Sequence, residues 1–239
     1  MPIFVPFIMD MSDMDFSKGG YLLFDKPYKW TSFDAVGRIR WALRKKYGHK
    51  FKVGHAGTLD PLATGLLIIC SGFYTKKIVE FQDMEKEYEG VFTLGAFRPS
   101  FDKETEISET FPTAHITDDM IQQATKKFIG EIEQIPPAHS AIKINGKRAY
   151  LSAREGEEIE MKPRKVVIKS MEVKRLDEVR ISFKVICEKG TYIRSLARDF
   201  GQALGSSAYL DSLIRTRIGT YELKDAIKDE DLTEEKFLV

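Results

Sequence analysis

The chain has 239 residues, 43% hydrophobic and 31% charged, which is the composition of a globular protein able to bury a substantial core and excludes disordered and fibrous classes. A net charge of +1 excludes a uniformly basic or acidic protein, so any nucleic-acid partner must be met by local patches. The apolar run Ile3 to Met9 is broken by Pro6, lacks a basic leader and meets Asp10, so it fits neither a signal peptide nor a membrane span, and a cytoplasmic protein is expected.

In chain order, residues 1–20 form an N-terminal extension. Tyr21 to Phe24 reads as a short buried strand that ends in a turn at Asp25-Lys26-Pro27, because proline has no ladder donor. Thr31 or Ser32 can cap a helix with apolar positions Phe33, Val36, Ile39 and Leu43 and with Arg38, Arg40, Arg44 and Lys45 on its wet side. Phe51 to Pro61, with Gly54 and Gly57 and no periodicity, reads as a loop leading to a central strand over Leu66 to Cys70. Lys86 to Gly95 alternates as a strand, and Thr117 to Phe128 is a helix with a threonine cap. Pro136-Pro137 breaks the chain, Val166 to Val173 and Val179 to Cys187 form a hairpin, and Thr191 to Leu204 is a helix begun by Gly190-Thr191. Elements mixed without a βαβ rhythm predict α+β, a mixed and largely antiparallel sheet flanked by helices and loops, in one main domain. Cys70 and Cys187 sit in apolar runs and read as buried free thiols.

Charge is uneven along the chain. Residues 26–52 hold nine Lys/Arg against one acid, and residues 140–175 hold ten against five; residues 222–239 hold seven acids against three bases. Solvated helix faces or phosphate-binding surfaces would both produce such runs.

The stretch Gly54-His55-Ala56-Gly57-Thr58-Leu59-Asp60-Pro61 puts a histidine and a carboxylate in a glycine-bearing loop before a buried strand, where function concentrates. A plain turn role for Asp60 before Pro61 is equally open at this point. The stretch lacks the Gly-Lys-Ser/Thr ending of a phosphate loop. Four histidines and two cysteines form no ligand-spaced pair, so no metal is expected. There is no nucleophile elbow or dinucleotide fingerprint. Lys189, Tyr192 and Arg194 fall at a strand-to-helix junction suited to an anion, or else are a core tyrosine and surface charges.

Three segments decide between these readings: Asp25-Lys26-Pro-x-x-Trp30-Thr31-Ser32, the loop from Gly54 to Gly65, and Lys189-Gly190-Thr191-Tyr192-Ile193-Arg194-Ser195-Leu196. In order and spacing they closely resemble the TruB family of bacterial tRNA pseudouridine-55 synthases. Lys86-Glu-Tyr88-x-Gly90, Pro136 to Tyr150 and Leu213-Ile-Arg215-Thr extend the resemblance over roughly residues 21–219. It implies a pseudouridine synthase catalytic domain over 21–222 with an RNA-clamping insertion at about 112–150. An acidic tail at 223–239 then takes the place of the C-terminal RNA-binding domain that many members carry.

By that resemblance Asp60 is the nucleophile, Tyr88 stacks on the target base, and Arg194 pairs with the aspartate. His55, Tyr192 and Leu213 accommodate the flipped nucleotide. Lys26, Arg38, Lys143 and Lys189 are the expected RNA contacts. The resemblance implies tRNA as partner, the T-loop uridine at tRNA position 55 as target, no cofactor, no obligate protein partner and a monomer. Three other readings stay open: an RNA-binding module without turnover, a synthase acting on another RNA, and an aspartyl-phosphate enzyme. Asp60 and Arg194 together argue against the first, and the third lacks its usual sequence context.

Overall fold

The computed structural model describes residue 16 and residues 19–140, 142–144, 146–154 and 160–232. The chain runs β1 (Tyr21–Lys26), α1 (Ser32–Tyr47), β2 (Val53–His55), β3 (Ala63–Ser71), α2 (Ile78–Asp83), β4 (Lys86–Leu94), β5 (Ala96–Phe97), β6 (Glu109–Thr110) and α3 (Asp118–Lys127). It continues through β7 (Gly130–Gln134), β8 (Lys143–Ile144), β9 (Lys147–Arg148), α4 (Ala149–Arg154), β10 (Arg164–Arg175), β11 (Arg180–Cys187), α5 (Ile193–Ala203), β12 (Ala208–Ile218) and β13 (Tyr221–Glu222). This is the expected α+β class. The chain divides into two compact units, residues 1–88 with 214–239 and residues 89–213. The boundary falls inside β4 and β12, where no linker composition marks it.

In the first unit β1 pairs antiparallel with β3, from Tyr21 opposite Cys70 to Lys26 opposite Gly65. Strand β3 is buried along nearly its whole length, which is why it reads as an unbroken apolar run rather than an alternating one. Leu67 and Ile69 pack with Val36, Ile39 and Leu43 of α1, while Leu66, Ile68 and Cys70 pack with Phe81 and Ile218. Each of these aliphatic side chains contributes roughly 1.5–3 kcal/mol by leaving water.

Helix α1 begins at a capping box. The Thr31 hydroxyl accepts from the Asp34 amide, and the Asp34 carboxylate accepts from the Thr31 amide; the helix stops at Gly48 in the left-handed region. Phe33 departs from the expected apolar stripe and is exposed. At about 100° per residue it lies about 60° from Val36 and about 120° from Ile39, at the margin of the face that Val36, Ile39 and Leu43 share. Within the expected loop Phe51 to Pro61, residues Val53–His55 form β2 against Ser71 to Ile69 of β3. Three residues are too few to show a period, so only the distant partner makes them a strand. Gly65 has φ +101°, and a Cβ there would lie 2.5 Å from the Arg215 carbonyl oxygen, so the close approach of β3 and β12 requires glycine.

In the second unit β10 and β11 form the expected hairpin, and β10 pairs on its other edge with β7, Arg164 opposite Gln134. Phe92 stacks on Phe183 with centroids 4.1 Å apart and lies against Phe200 of α5. Residues 118–134 of the expected clamping insertion are part of this unit's own framework: β7 is in register with β10, and α3 buries Ile121 and Ala124. Helix α5 starts one residue after Tyr192, with no side-chain cap. The expected cap, Thr191, instead donates its hydroxyl to the Glu188 carbonyl. Cys70 and Cys187 are buried thiols outside any disulfide, as expected, and burial pushes the Cys70 thiol up to about 12. No helix among the described residues is long and apolar enough to cross a membrane.

Candidate active site

The site is built first from the loop between β2 and β3. The Ala56 amide donates to the Ile68 carbonyl at 2.8 Å, and Gly57 turns the chain at φ +97°. The hydroxyl of Ser32, buried at the start of α1, donates to the Leu59 carbonyl at 3.0 Å and accepts from the Leu59 amide at 2.9 Å. On the other side of Asp60, its own carbonyl accepts from the Ala63 amide, and the Pro61 carbonyl accepts from the Lys29 amide at 2.9 Å. Asp60 is half-buried between two stretches of fixed backbone, which is the condition for holding a reacting carboxylate in one orientation.

Two buried cations brace this loop. Lys26 is fully buried, and its Nζ donates to the carbonyls of Trp30 (2.6 Å), Pro27 (3.0 Å) and Pro61 (3.5 Å). The expectation of Lys26 as an RNA contact is therefore corrected: its charge faces main-chain carbonyls, ties the turn after β1 to the Asp60 loop, and has no exposed surface for a phosphate. Burial drives its pKa down to about 8, with the Asp60 carboxylate pulling the other way.

Arg215 on β12 is also buried. Its Nε donates to the Leu66 carbonyl at 2.7 Å and a terminal nitrogen to the Gly57 carbonyl at 3.2 Å. Its guanidinium lies 6.0 Å from the ring of Tyr88, which is buried on β4. His55 ends β2, half-buried, with its Nδ1 enclosed and unpaired among the described residues. Burial first, and then the Arg215 charge, lower its pKa below the ordinary 6.5, so the ring is neutral at neutral pH. The first unit thus brings together Asp60, His55, Lys26 and Tyr88 around Arg215. Sequence reasoning assigned no role to Arg215 or to the second hydroxyl of the Thr31-Ser32 pair. The available signals were an arginine two residues after Leu213 at an inward-alternating strand position and two hydroxyls where one cap is needed.

Lys26 supplies a pH test. Its folded pKa, about 8, lies below the unfolded value of about 10.5, so between those limits the unfolded state binds more protons and stability rises with pH. The stability of the wild type relative to Lys26→Met will grow between pH 8 and 10, by up to about 1.4 kcal/mol per pH unit, in urea titrations at each pH. A difference that stays flat with pH would refute the depressed pKa.

Arg38 lies on α1 with Nε on the Asp229 carboxylate at 2.6 Å and a terminal nitrogen on the Leu232 carbonyl at 3.0 Å. A phosphate there would compete with Asp229. In the second unit, Arg194 is buried and donates to the carbonyls of Ser100 (3.2 Å) and His139 (2.9 Å), with the Asp102 carboxylate at 3.6 Å. Asp102 is itself fixed by the Ser100 hydroxyl and the Glu104 amide. The Tyr192 backbone is pinned at both ends by the Gln134 amide group, at 2.7 and 3.1 Å, and the Arg164 guanidinium lies 4.5 Å over its ring. Leu213 is buried and Lys189 exposed. Lys143 lies in β8, and its side chain is outside the described part of the structure. Asp102 and Gln134, the residues that hold Arg194 and Tyr192, are distant in sequence from what they position and have no motif of their own.

Residues 44–193 match a family model described as the N-terminal domain of TruB family pseudouridylate synthases. With most of the chain covered, and with the Asp60 loop built as above, the chain belongs to the TruB family of pseudouridylate synthases. A relative from Flavobacterium johnsoniae, named tRNA pseudouridine synthase B, is 53% identical over 91% of this chain and 96% of its own length. One of the same name from Phocaeicola vulgatus is also 53% identical, over 92% and 94%. Among solved structures, a chain from a Cbf5-Nop10-Gar1 complex superposes with a TM-score of 0.67 at 29% identity, covering 92% of this chain. A chain from an H/ACA ribonucleoprotein bound to a substrate RNA containing 2′-deoxyuridine does so with 0.65 at 25% identity, covering 96%. The chain spans 58% and 61% of the lengths of those two chains.

Proposed function

We propose that this enzyme converts uridine to pseudouridine at position 55 in the T loop of tRNA, with Asp60 as covalent nucleophile. The reading is carried by the half-buried carboxylate of Asp60 in a loop fixed on both sides, in a chain whose relatives named tRNA pseudouridine synthase B match it nearly end to end. The target uridine must leave its stack to be reached, at a cost of a few kcal/mol. Neutral His55 and buried Tyr88 offer aromatic surfaces to offset it.

Asp60 then adds covalently to the nucleotide, at C6 of the uracil or C1′ of the ribose. The N1–C1′ bond breaks, the uracil turns, and C5 bonds to C1′; the C5 proton leaves while N1 gains one, so the reaction is balanced without a cofactor. Arg194 takes the family's role of counter-ion to the nucleophile, and its burial with fixed partners suits a guanidinium that must keep one orientation. Tyr192 and Leu213 line the uracil pocket. Arg38, Lys143 and Lys189 are phosphate contacts, which makes affinity fall with salt.

Tritium release from a tRNA transcript labelled at C5 of uridine tests this directly. About one equivalent per tRNA, without added metal or nucleotide, is expected. Binding without release from tRNA would overturn the reading.

A further inference from the structure

Strand β10 begins with a cation on its inner side. Val166 and Ile168 are buried, and because side chains alternate along a strand, Arg164 shares their face while Lys165 points outward. Lys165 is indeed exposed and pairs with Glu131 at 2.7 Å. Directly opposite Arg164 on β7 stands Gln134, which is fully buried, and residues opposite each other in a ladder share a face. Two neighbouring strands thus send an arginine and a glutamine side by side to the Lys189–Arg194 junction.

Both reach Tyr192, by different atoms. The Gln134 side-chain amide accepts from the Tyr192 amide at 2.7 Å and donates to its carbonyl at 3.1 Å, so a side chain takes the place of a strand partner. Arg164 takes the ring. Its guanidinium lies 4.5 Å over the centroid, and a terminal nitrogen donates to the Gly190 carbonyl. Its Nε is buried with no hydrogen-bond partner among the described residues. A buried donor left unpaired costs stability, so bracing the Gly190 turn does not by itself account for an arginine here. The Thr191 hydroxyl donates to the Glu188 carbonyl and the Ser195 hydroxyl to the Ile135 carbonyl. With the backbone held on both sides, ring rotation is the freedom left to Tyr192, and the guanidinium opposes it.

We propose that Arg164 is a positioning residue for uridine isomerisation: it covers one face of the Tyr192 ring, so that only the other face and the edge can meet the flipped uracil. This rests on the function proposed above and deepens it. Arg164 lies in a basic stretch of the sequence, yet its guanidinium is spent on a ring and a carbonyl rather than offered to a phosphate. A base that has left its stack reacts only when held close to the attacking geometry, and a pocket wall that rotates loosens that hold. RNA affinity comes mainly from phosphates, so loss of Arg164 will appear in kcat rather than in KM.

A double-mutant cycle tests this, using tritium release from a C5-tritiated tRNA transcript with Arg164→Met, Tyr192→Leu and the two combined. Arg164→Met will lower kcat about tenfold, with KM within about twofold of the wild type and the salt dependence of RNA binding unchanged. Arg164→Lys, which keeps the charge but not the planar stack, will recover part of the loss. In the Tyr192→Leu background Arg164→Met will cost less than about twofold more, because the ring it positions is gone. A further full loss in that background, a loss confined to KM, or wild-type kcat in either single variant would overturn the proposal. Should Arg164→Met fail to fold, the same cycle is read with Arg164→Lys. If the wild type binds the transcript without releasing tritium, the isomerase reading fails. Arg164 is then judged by NMR of ring-labelled tyrosine, standing if Arg164→Met frees the Tyr192 ring and falling if the ring stays as ordered as in the wild type.

Discussion

Asp60→Asn will abolish tritium release, by roughly four orders of magnitude or more, while leaving RNA affinity within a few-fold of the wild type. Asparagine has the shape of aspartate and one fewer negative charge, so it fits the loop held by Ser32, Lys29 and Ala63 and does not repel phosphate. It cannot supply the carboxylate that the proposed covalent intermediate requires, and losing a nucleophile removes most of the rate enhancement. Single-turnover assays beside filter binding make the comparison. Residual turnover within tenfold of the wild type would remove Asp60 from the chemistry, whatever the binding result.

Arg215→Ala will destabilise the protein by about 3–5 kcal/mol, with a lowered urea midpoint. The side chain is 1% exposed and donates to the carbonyls of Leu66 and Gly57. Truncation leaves both acceptors buried without this donor and opens a cavity beside Tyr88. Arg215→Lys will recover only part of this, because an ammonium cannot span the two carbonyls in one plane. A loss below about 1 kcal/mol for the alanine variant would show that Arg215 does not hold the loop. Because Gly57 leads into the Asp60 loop, the lysine variant will also lose kcat at temperatures where it remains folded.

Much of the site was legible in sequence, for a specific reason. The Asp60 loop, the Lys26 turn and the Arg194 junction are local strings of turn-forming and charged residues, so order and spacing expose them. The role of Lys26 was not legible: a lysine beside Pro27 in a basic stretch reads as a surface charge, and only the carbonyls of Trp30 and Pro61 make it an interior brace. Arg215 was missed because its acceptors, Leu66 and Gly57, are far away in the chain. The Asp60 loop also looked looser than it is, since β2 exists only through its pairing with β3.

The sequence by itself determined the helices with strong caps, the β10–β11 hairpin, the buried run of β3 and the residues of the Asp60 loop. Each of these is dictated within a few residues by periodicity, capping or turn chemistry. Only the tertiary structure decided which cations lie inside, which hydroxyl caps a helix and which clamps a loop, and that Phe33 faces outward. It also decided that the chain divides within two strands rather than at a linker. These outcomes depend on where distant backbone carbonyls and neighbouring strands come to lie, and no local pattern of residues carries that information.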